Sequence, residues 1–250
     1  MRNSRTLFSF ILFSLSTIAY ARQPLATVPF VGCPADGQLG PTAAPKGKPK
    51  NLPLAAPVAA QIAWYEYRGD GGQMGILAPR GWNCFATIGS NGISLYVAPE
   101  PLNADKILGH KNWRGFIGPA IELSESEGGT SGRFDVAKVI ARVFSAHRDF
   151  LRDVIAEDIE TASNFPTGPF PTDHLNYKTK ELVEFTTPAG HKGLGTMSWL
   201  LPSDQPISGV AILSTGEDTD LLQLNMRLPP ALAALGPIII EQAEREAAQP

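Results

Sequence analysis

Cysteine and histidine are scarce in this sequence. The 250 residues include two cysteines and four histidines, and neither a Cys-x-x-Cys nor a His-x-x-x-His spacing occurs. Zinc sites need several such ligands at close spacing. A glycine-rich phosphate loop followed by lysine is also lacking, so no nucleotide site is indicated. The sequence therefore predicts no bound metal and no cofactor.

A cluster of basic residues is lacking as well. Lys and Arg total 21, Asp and Glu total 24, and the two signs are mixed along the chain. Nucleic acids and anionic membranes both bind to positive patches. Beyond the N-terminus no apolar run is long enough to span a bilayer. We therefore expect no nucleic-acid partner and no membrane span in the mature protein.

The N-terminus has the pattern of a secretory signal peptide. Arg2 and Arg5 precede an uncharged run of about 16 residues, and Ala19-Tyr20-Ala21 fits the small-x-small cleavage pattern. The alternative is a membrane anchor, which needs roughly 20 apolar residues. Cleavage after residues 1–21 reduces the 21 basic residues to 19 against 24 acidic ones, a net charge of about −5. The predicted location is the periplasm or the extracellular medium.

The two cysteines, Cys33 and Cys84, both follow the predicted cleavage site. In an oxidising compartment such a pair favours one disulfide. The bond would close a loop of about 50 residues, worth about 4 kcal/mol in the chain-entropy model. A catalytic Cys84 would need a nearby imidazole, and the histidines are scattered. Lipidation of Cys33 is a further alternative, because Gly32 precedes it as in a lipobox, but Phe30 does not fit that motif.

The mature chain divides into a short arm and one domain. Residues 22–55 are rich in Pro and Gly and predict an irregular arm, and residues 56–250 predict a single α+β domain. Helices are predicted at 57–67, at 133–160 and from Pro237 onward. Strands are predicted at 74–78, 82–88, 92–98, 119–124, 181–187, 194–200, 207–214 and 219–227.

One glycine-rich stretch and a few polar residues are candidates for chemistry. In "EGGTSGRFD", Thr130 and Ser131 could bind an anion at the start of a helix, and ordinary helix capping explains them equally. A hydrolase would need a nucleophile with a base, or two carboxyl groups of different pKa. Its candidate residues are Ser131 with His147 or His191, and the acidic group Glu122, Glu125 and Glu127.

Three segments carry a resemblance to a group of exported bacterial proteins to which no activity is assigned. They are "FVGCPADGQLGP" (30–41), "GILAPRGWNCF" (75–85) and the region "WRGFIGPAIELS...TSGRFDVAKVIARVF" (113–144). The resemblance covers most of the mature chain. It implies export and no particular reaction.

The order of elements is also similar to the PsbP-like fold of extrinsic photosystem proteins. An early strand leads to a turn with Pro79, Gly81 and Trp82, a sheet follows, and the chain ends in a helix. This resemblance implies an antiparallel sheet covered by helices, an α/β/α sandwich. It also implies a non-enzymatic accessory or binding role, with an envelope protein or a small ligand as partner. The small secreted hydrolase is the alternative.

Overall fold

The structure is a computed structural model that describes residues 25–109 and 113–248. The predicted signal peptide, residues 1–21, lies outside this part of the chain. The strands are β1 Leu25–Val28, β2 Phe30–Gly32, β3 Ala35–Gly37, β4 Lys50–Pro53, β5 Ile62–Gly69, β6 Gly72–Pro79, β7 Asn83–Gly89, β8 Gly92–Ala98, β9 Ala120–Ser126, β10 His174–Tyr177, β11 Leu182–Thr187, β12 Ile207–Thr215 and β13 Thr219–Arg227. The α-helices are α1 Ala56–Ala59, α2 Ala104–Ile107, α3 Arg133–Val143, α4 Arg148–Ala156 and α5 Gly236–Ala247.

A mixed sheet of eight strands forms the centre of the molecule, in the order β10-β11-β12-β13-β9-β8-β7-β3. Six of its seven strand pairs are antiparallel, and the seventh joins β3 to β7 in parallel. The β7–β8 pair closes at a turn where Gly89 lies opposite Gly92. Gly92 has a φ of 131°, a backbone conformation that glycine adopts without strain.

One face of this sheet packs against a second, three-stranded sheet, β2-β5-β6, and against α5. Leu95 of β8, Ile76 of β6 and Ile239 of α5 belong to one buried apolar cluster. Both sheets bury side chains in this cluster, so burial of apolar area is the main source of stability here.

On the opposite face of the large sheet, two apolar clusters of described residues cover parts of the surface. Toward one end Val136 and Ile140 of α3, a helix that contacts β13 and β9, share a buried apolar cluster with Phe185 of β11. At the other end Phe116 and Leu200, from two loops, pack on the β7–β8 hairpin. A strip of polar side chains lies between these two apolar clusters.

The predicted fold class is wrong. The sequence predicted an antiparallel sheet covered by helices in a PsbP-like sandwich, whereas the sheet is mixed and a second sheet covers much of one face. The main error is at 57–67, predicted as a helix. Only Ala56–Ala59 is helical, and Ile62–Gly69 is a strand. Trp64, Tyr65 and Tyr67 are buried on both faces of that strand, and aromatic residues favour strands.

The segment 22–55, predicted as an irregular arm, contains short strands, and residues 38–49 between them belong to no named strand or helix. Four short strands lie between Leu25 and Pro53: β1 pairs with β4, β2 joins the small sheet and β3 joins the large one. Val28 and Cys33 are fully buried. The prolines limit these strands to three or four residues, since proline cannot donate to a strand ladder.

Two further elements differ from the prediction. The predicted helix at 133–160 is interrupted at Phe144, whose backbone leaves the helical region, and continues as α4. The predicted strand at 194–200 is a short 3₁₀ turn at Leu194–Thr196. There the carboxylate of Asp173 accepts the Leu194 N–H at 2.7 Å, which holds the backbone in a turn.

The predicted disulfide between Cys33 and Cys84 is confirmed, with Cα atoms 5.3 Å apart. It connects the segment between β2 and β3 to strand β7 of the large sheet. Over 25–109 and 113–248, no helix combines the length and the apolar content that crossing a membrane requires.

Candidate functional site

The polar strip runs across three central strands of the large sheet. Ser94 of β8 lies opposite Ser124 of β9, which lies opposite Gln223 of β13. One pair further along, Glu122 of β9 lies opposite Asn225 of β13. Side chains alternate between faces along a strand, so these residues share the face left open between the two apolar clusters.

An open cleft of about 510 Å³ lies above this strip. We call it the Glu122 cleft. Its floor and walls include Ser94, Glu122, Ser124, Gln223, Asp135 and Trp199. Asp135 is on α3, and Trp199 is on the loop after the 3₁₀ turn, so helix and loop form opposing walls. The volume lies in the range of small-molecule sites.

Glu122 is the only carboxyl residue on the floor of the cleft among the residues described. The side chain is 4% exposed, and the backbone N–H of Trp199 donates to its Oε2 at 2.7 Å. Burial raises the pKa of Glu122 to about 7, against the opposing effect of that hydrogen bond. The group therefore exchanges a proton near neutral pH, and it can donate or accept a hydrogen bond.

Two buried amides lie beside Glu122. Gln223 Nε2 donates to the Leu194 carbonyl at 3.3 Å and to Asn225 Oδ1 at 3.1 Å. Asn225 is 1% exposed, and its Nδ2 has no hydrogen-bond partner within the described part of the chain. A buried donor without a partner costs about 1–3 kcal/mol. Such a donor, buried without a protein acceptor, is normally satisfied by an ordered water.

Trp199 presents an aromatic surface at the rim. It is 43% exposed, and one face of its indole stacks on Trp113 with ring centroids 5.0 Å apart. Trp113 in turn packs edge-on against Phe116. The position of Trp199 is therefore fixed from behind while part of its ring remains open to solvent.

A buried arginine holds the loops that carry these aromatic residues. Arg227, at the end of β13, is 1% exposed. Its guanidinium donates to the carbonyls of Phe116, Ile117 and Gly118 at 2.8–3.1 Å, and to the Leu201 carbonyl. One side chain thus joins the loop before β9 to the loop after Trp199.

Replacing Arg227 with lysine should lower the free energy of unfolding by about 2 kcal/mol, because an ammonium cannot reach all the carbonyls that the planar guanidinium bonds. Urea denaturation measures this. Arg245→Lys, on the partly exposed α5 pair with Glu241, is the matched control and should change stability by less than about 0.5 kcal/mol. Equal losses in both variants would contradict the role assigned to Arg227.

The Ser/His candidates do not come together. Ser131 is exposed, and its Oγ lies 2.9 Å from Ser90 Oγ. The Nε2 of His147 lies 3.4 Å from a Glu181 carboxylate oxygen, in the turn between α3 and α4. His191 is exposed in the turn after β11. These residues do not hydrogen-bond to one another in the described chain.

The anion-binding candidates have protein partners. The hydroxyl of Thr130 donates to the Glu127 carbonyl at 2.9 Å and accepts from the Gly132 N–H at 3.1 Å. These are the contacts of a turn that leads into α3. Ser131 lies in the same turn, and its hydroxyl contacts Ser90 as described above.

The acidic candidates lie on different faces. Glu122 faces the cleft, whereas Glu125, three residues along the same strand, is exposed and lines a second cleft of about 660 Å³ on the opposite face. That second cleft also contains Asp220. In the described chain, no group of three or more His, Cys, Asp or Glu side chains could hold a metal ion.

Sequence reasoning found Glu122 and missed most of the cleft. The missed residues are Ser94, Ser124, Gln223 and Trp199 of the cleft, and Asn225 beside Glu122. A signal was present: "ELSES" and "QLNMR" place polar residues at alternate positions of central strands, where the intervening residues, except Glu125, are apolar. In an antiparallel sheet this alternation indicates one polar face, which is either exposed to solvent or part of a site.

Searches of protein-family models, of curated proteins and of solved structures find no match to this chain.

Proposed function

We propose that this protein is an exported binding protein that holds a small polar ligand in the Glu122 cleft and does not transform it. The observation that carries this proposal is a buried carboxyl group on the floor of an open cleft, with an unpartnered buried amide, Asn225, opposite it on the neighbouring strand. Buried polar groups are normally satisfied. Polar groups that converge in a concave site without complete partners are typical of ligand binding.

Two features support export as part of the proposal. The intramolecular disulfide fits an oxidising compartment. The first 21 residues have the charge and apolar pattern of a signal peptide. The location proposed is the periplasm or the extracellular medium.

A hydrolase is the second candidate, and one observation favours it. Glu122 has a pKa raised to about 7 by burial, as a general acid would need, and Asp135 lines the same cleft. Asp135, however, lies 3.5 Å from the Lys138 ammonium and accepts from Asn91 at 3.3 Å. Because the described residues of the cleft include no nucleophile–base pair, they favour binding.

Ligand-observed NMR on the full chain with its disulfide formed tests the proposal. The panel contains hexoses and disaccharides, amino acids, dicarboxylates and polyamines, each as a separate probe. We expect members of one class to bind, and Gln223→Leu to weaken that binding at least about tenfold, since it removes a polar group from the cleft. Ser124→Ala, a smaller change in the same cleft, should also weaken ligand binding.

Gln73→Leu is the matched control, because this exposed glutamine lines the second cleft on the opposite face. It should leave binding unchanged. If no class binds, or if Gln73→Leu abolishes binding while Gln223→Leu does not, the Glu122 cleft is not the site. Conversion of a bound probe to product during the NMR measurement would favour the hydrolase.

A further inference from the structure

The basic charge in the cleft is already neutralised. Lys138 is the one basic residue among its described lining residues. Its ammonium lies 3.5 Å from Asp135 and 3.4 Å from Glu160. An anionic ligand would therefore have to compete with two carboxylates for a single cation, so carboxylate and phosphate ligands are disfavoured.

The acidic charge in the cleft is limited in the same way. Asp135 is paired with Lys138 and with the amide of Asn91. Glu122 is 4% exposed, and burial raises its pKa to about 7, so it is only partly ionised at neutral pH. A cationic ligand would find no free, permanently charged partner on the floor, so amines are disfavoured as well.

The remaining polar groups are hydroxyls and amides. Ser94, Ser124 and Ser126 line the floor with Gln223, and Ser198 lies on the loop wall. Gln223 Nε2 already donates to Leu194 and Asn225, and the Ser198 hydroxyl to the Gly195 carbonyl, so the Gln223 amide oxygen and the floor hydroxyls are the groups offered to a ligand. A serine hydroxyl donates one hydrogen bond and accepts others, and an amide does both. A ligand hydroxyl has the same dual capacity. A row of such groups therefore matches a molecule that carries several hydroxyls.

The rim adds an apolar, aromatic surface to this polar floor. Trp199 lines the cleft, Trp113 supports its ring from one face, and 43% of the residue is exposed. The electron-rich face of an aromatic ring attracts partially positive C–H groups. Sugars present both features: hydroxyls around the ring edge and C–H groups on the ring face.

We propose that the Glu122 cleft binds an uncharged saccharide or a related polyol, with its hydroxyls on the Ser94–Ser124–Gln223 row and its C–H face on Trp199. This inference rests on the binding function proposed above and specifies its ligand class. The cleft of about 510 Å³ has room for more than one sugar ring.

Isothermal titration calorimetry with glucose, N-acetylglucosamine, maltose and cellobiose tests it, with glutamate, succinate and spermidine as charged probes. We expect at least one of the four sugars to bind and the charged probes not to bind. Trp199→Ala should weaken sugar binding at least about tenfold, because the stacking surface is lost. Tyr177→Ala is the matched control: this aromatic residue on β10 is 53% exposed and does not line the cleft.

The outcomes separate the two proposals. If a charged probe binds and Gln223→Leu removes that binding, the cleft is a ligand site but the saccharide assignment is wrong. If no probe of any class binds, both proposals fail. If a sugar binds and Trp199→Ala and Tyr177→Ala weaken it equally, the stacking role of Trp199 is overturned. Circular dichroism of each variant establishes that a loss of binding is not a loss of folding.

Discussion

Reduction of the Cys33–Cys84 disulfide is expected to lower the free energy of unfolding by about 4 kcal/mol. The bond joins cysteines 51 residues apart. In the chain-entropy model, opening a loop of this length raises the conformational entropy of the unfolded chain, which stabilises the unfolded state by about 4 kcal/mol. For a domain whose total stability is typically about 5–15 kcal/mol, this is a large fraction.

The structure indicates which strands should lose protection from hydrogen exchange first after reduction. Strands β2 and β3 have three residues each and depend on parallel pairing with β5 and β7. Cys33, between them, is fully buried and donates its N–H to the Glu66 carbonyl at 2.8 Å. After reduction, hydrogen exchange should accelerate in β2 and β3 before it does in the central strands.

The measurement is guanidinium denaturation of the oxidised and the reduced wild-type protein, whose side chains have the same volume. The double variant Cys33→Ala and Cys84→Ala is a second form without the bond, in which small cavities add to the loss. Thiol labelling of oxidised protein, unfolded without reductant, should find no free cysteine. Two labelled thiols, or equal stability with and without reductant, would refute the prediction.

The sequence predicted the central hairpins well because local signals determine them. Gly89-Ser90-Asn91-Gly92 marks a turn, and Ile93, Leu95 and Val97 alternate with other residues. The strands predicted at 92–98 and 219–227 agree with β8 and β13 at both ends. In these segments the local pattern and the tertiary pairing favour the same structure.

The strands of the N-terminal region were not predicted because their pairing partners are distant in the sequence. β3 is three residues long and exists because Ala35 pairs with Ala86, and β2 exists because Phe30 pairs with Trp64. No local period appears in three residues. Proline-rich composition predicts irregular structure on average, but here the disulfide and the burial of Cys33 hold the segment against the sheets.

The cleft could be predicted only in part because its residues come from distant segments. Ser94 and Gln223 are far apart in the sequence, and β9 brings them onto one strip through Ser124. In sequence, Glu122 and Ser124 look like solvent-exposed alternating positions. The packing of α3 at one side and the Trp199 loop at the other changes an exposed strip into a cleft.

Glu122 should make the stability of this protein fall as pH rises between about 4.5 and 7. A glutamate has an ordinary pKa of 4.5, and burial raises that of Glu122 in the folded state to about 7. Between these values the folded protein holds a proton that the unfolded chain has released. The free energy of unfolding therefore decreases with pH across this window, by about 3 kcal/mol in total. Well below pH 4.5 and well above pH 7, Glu122 adds no slope.

Glu122→Gln isolates this contribution, because the amide oxygen can still accept the Trp199 N–H and the group cannot ionise. Urea denaturation at a series of pH values gives the stability of both proteins, and the difference between them removes the titration of all other groups. We expect the free energy of unfolding of the variant, relative to that of the wild type, to increase by about 3 kcal/mol from pH 4.5 to pH 7.

Glu217→Gln, in the exposed turn between β12 and β13, controls for the loss of one negative charge. If Glu122→Gln and the wild type show parallel profiles, Glu122 is ionised throughout this range. It would then be a fixed negative charge on the cleft floor, which would favour a cationic ligand over a sugar.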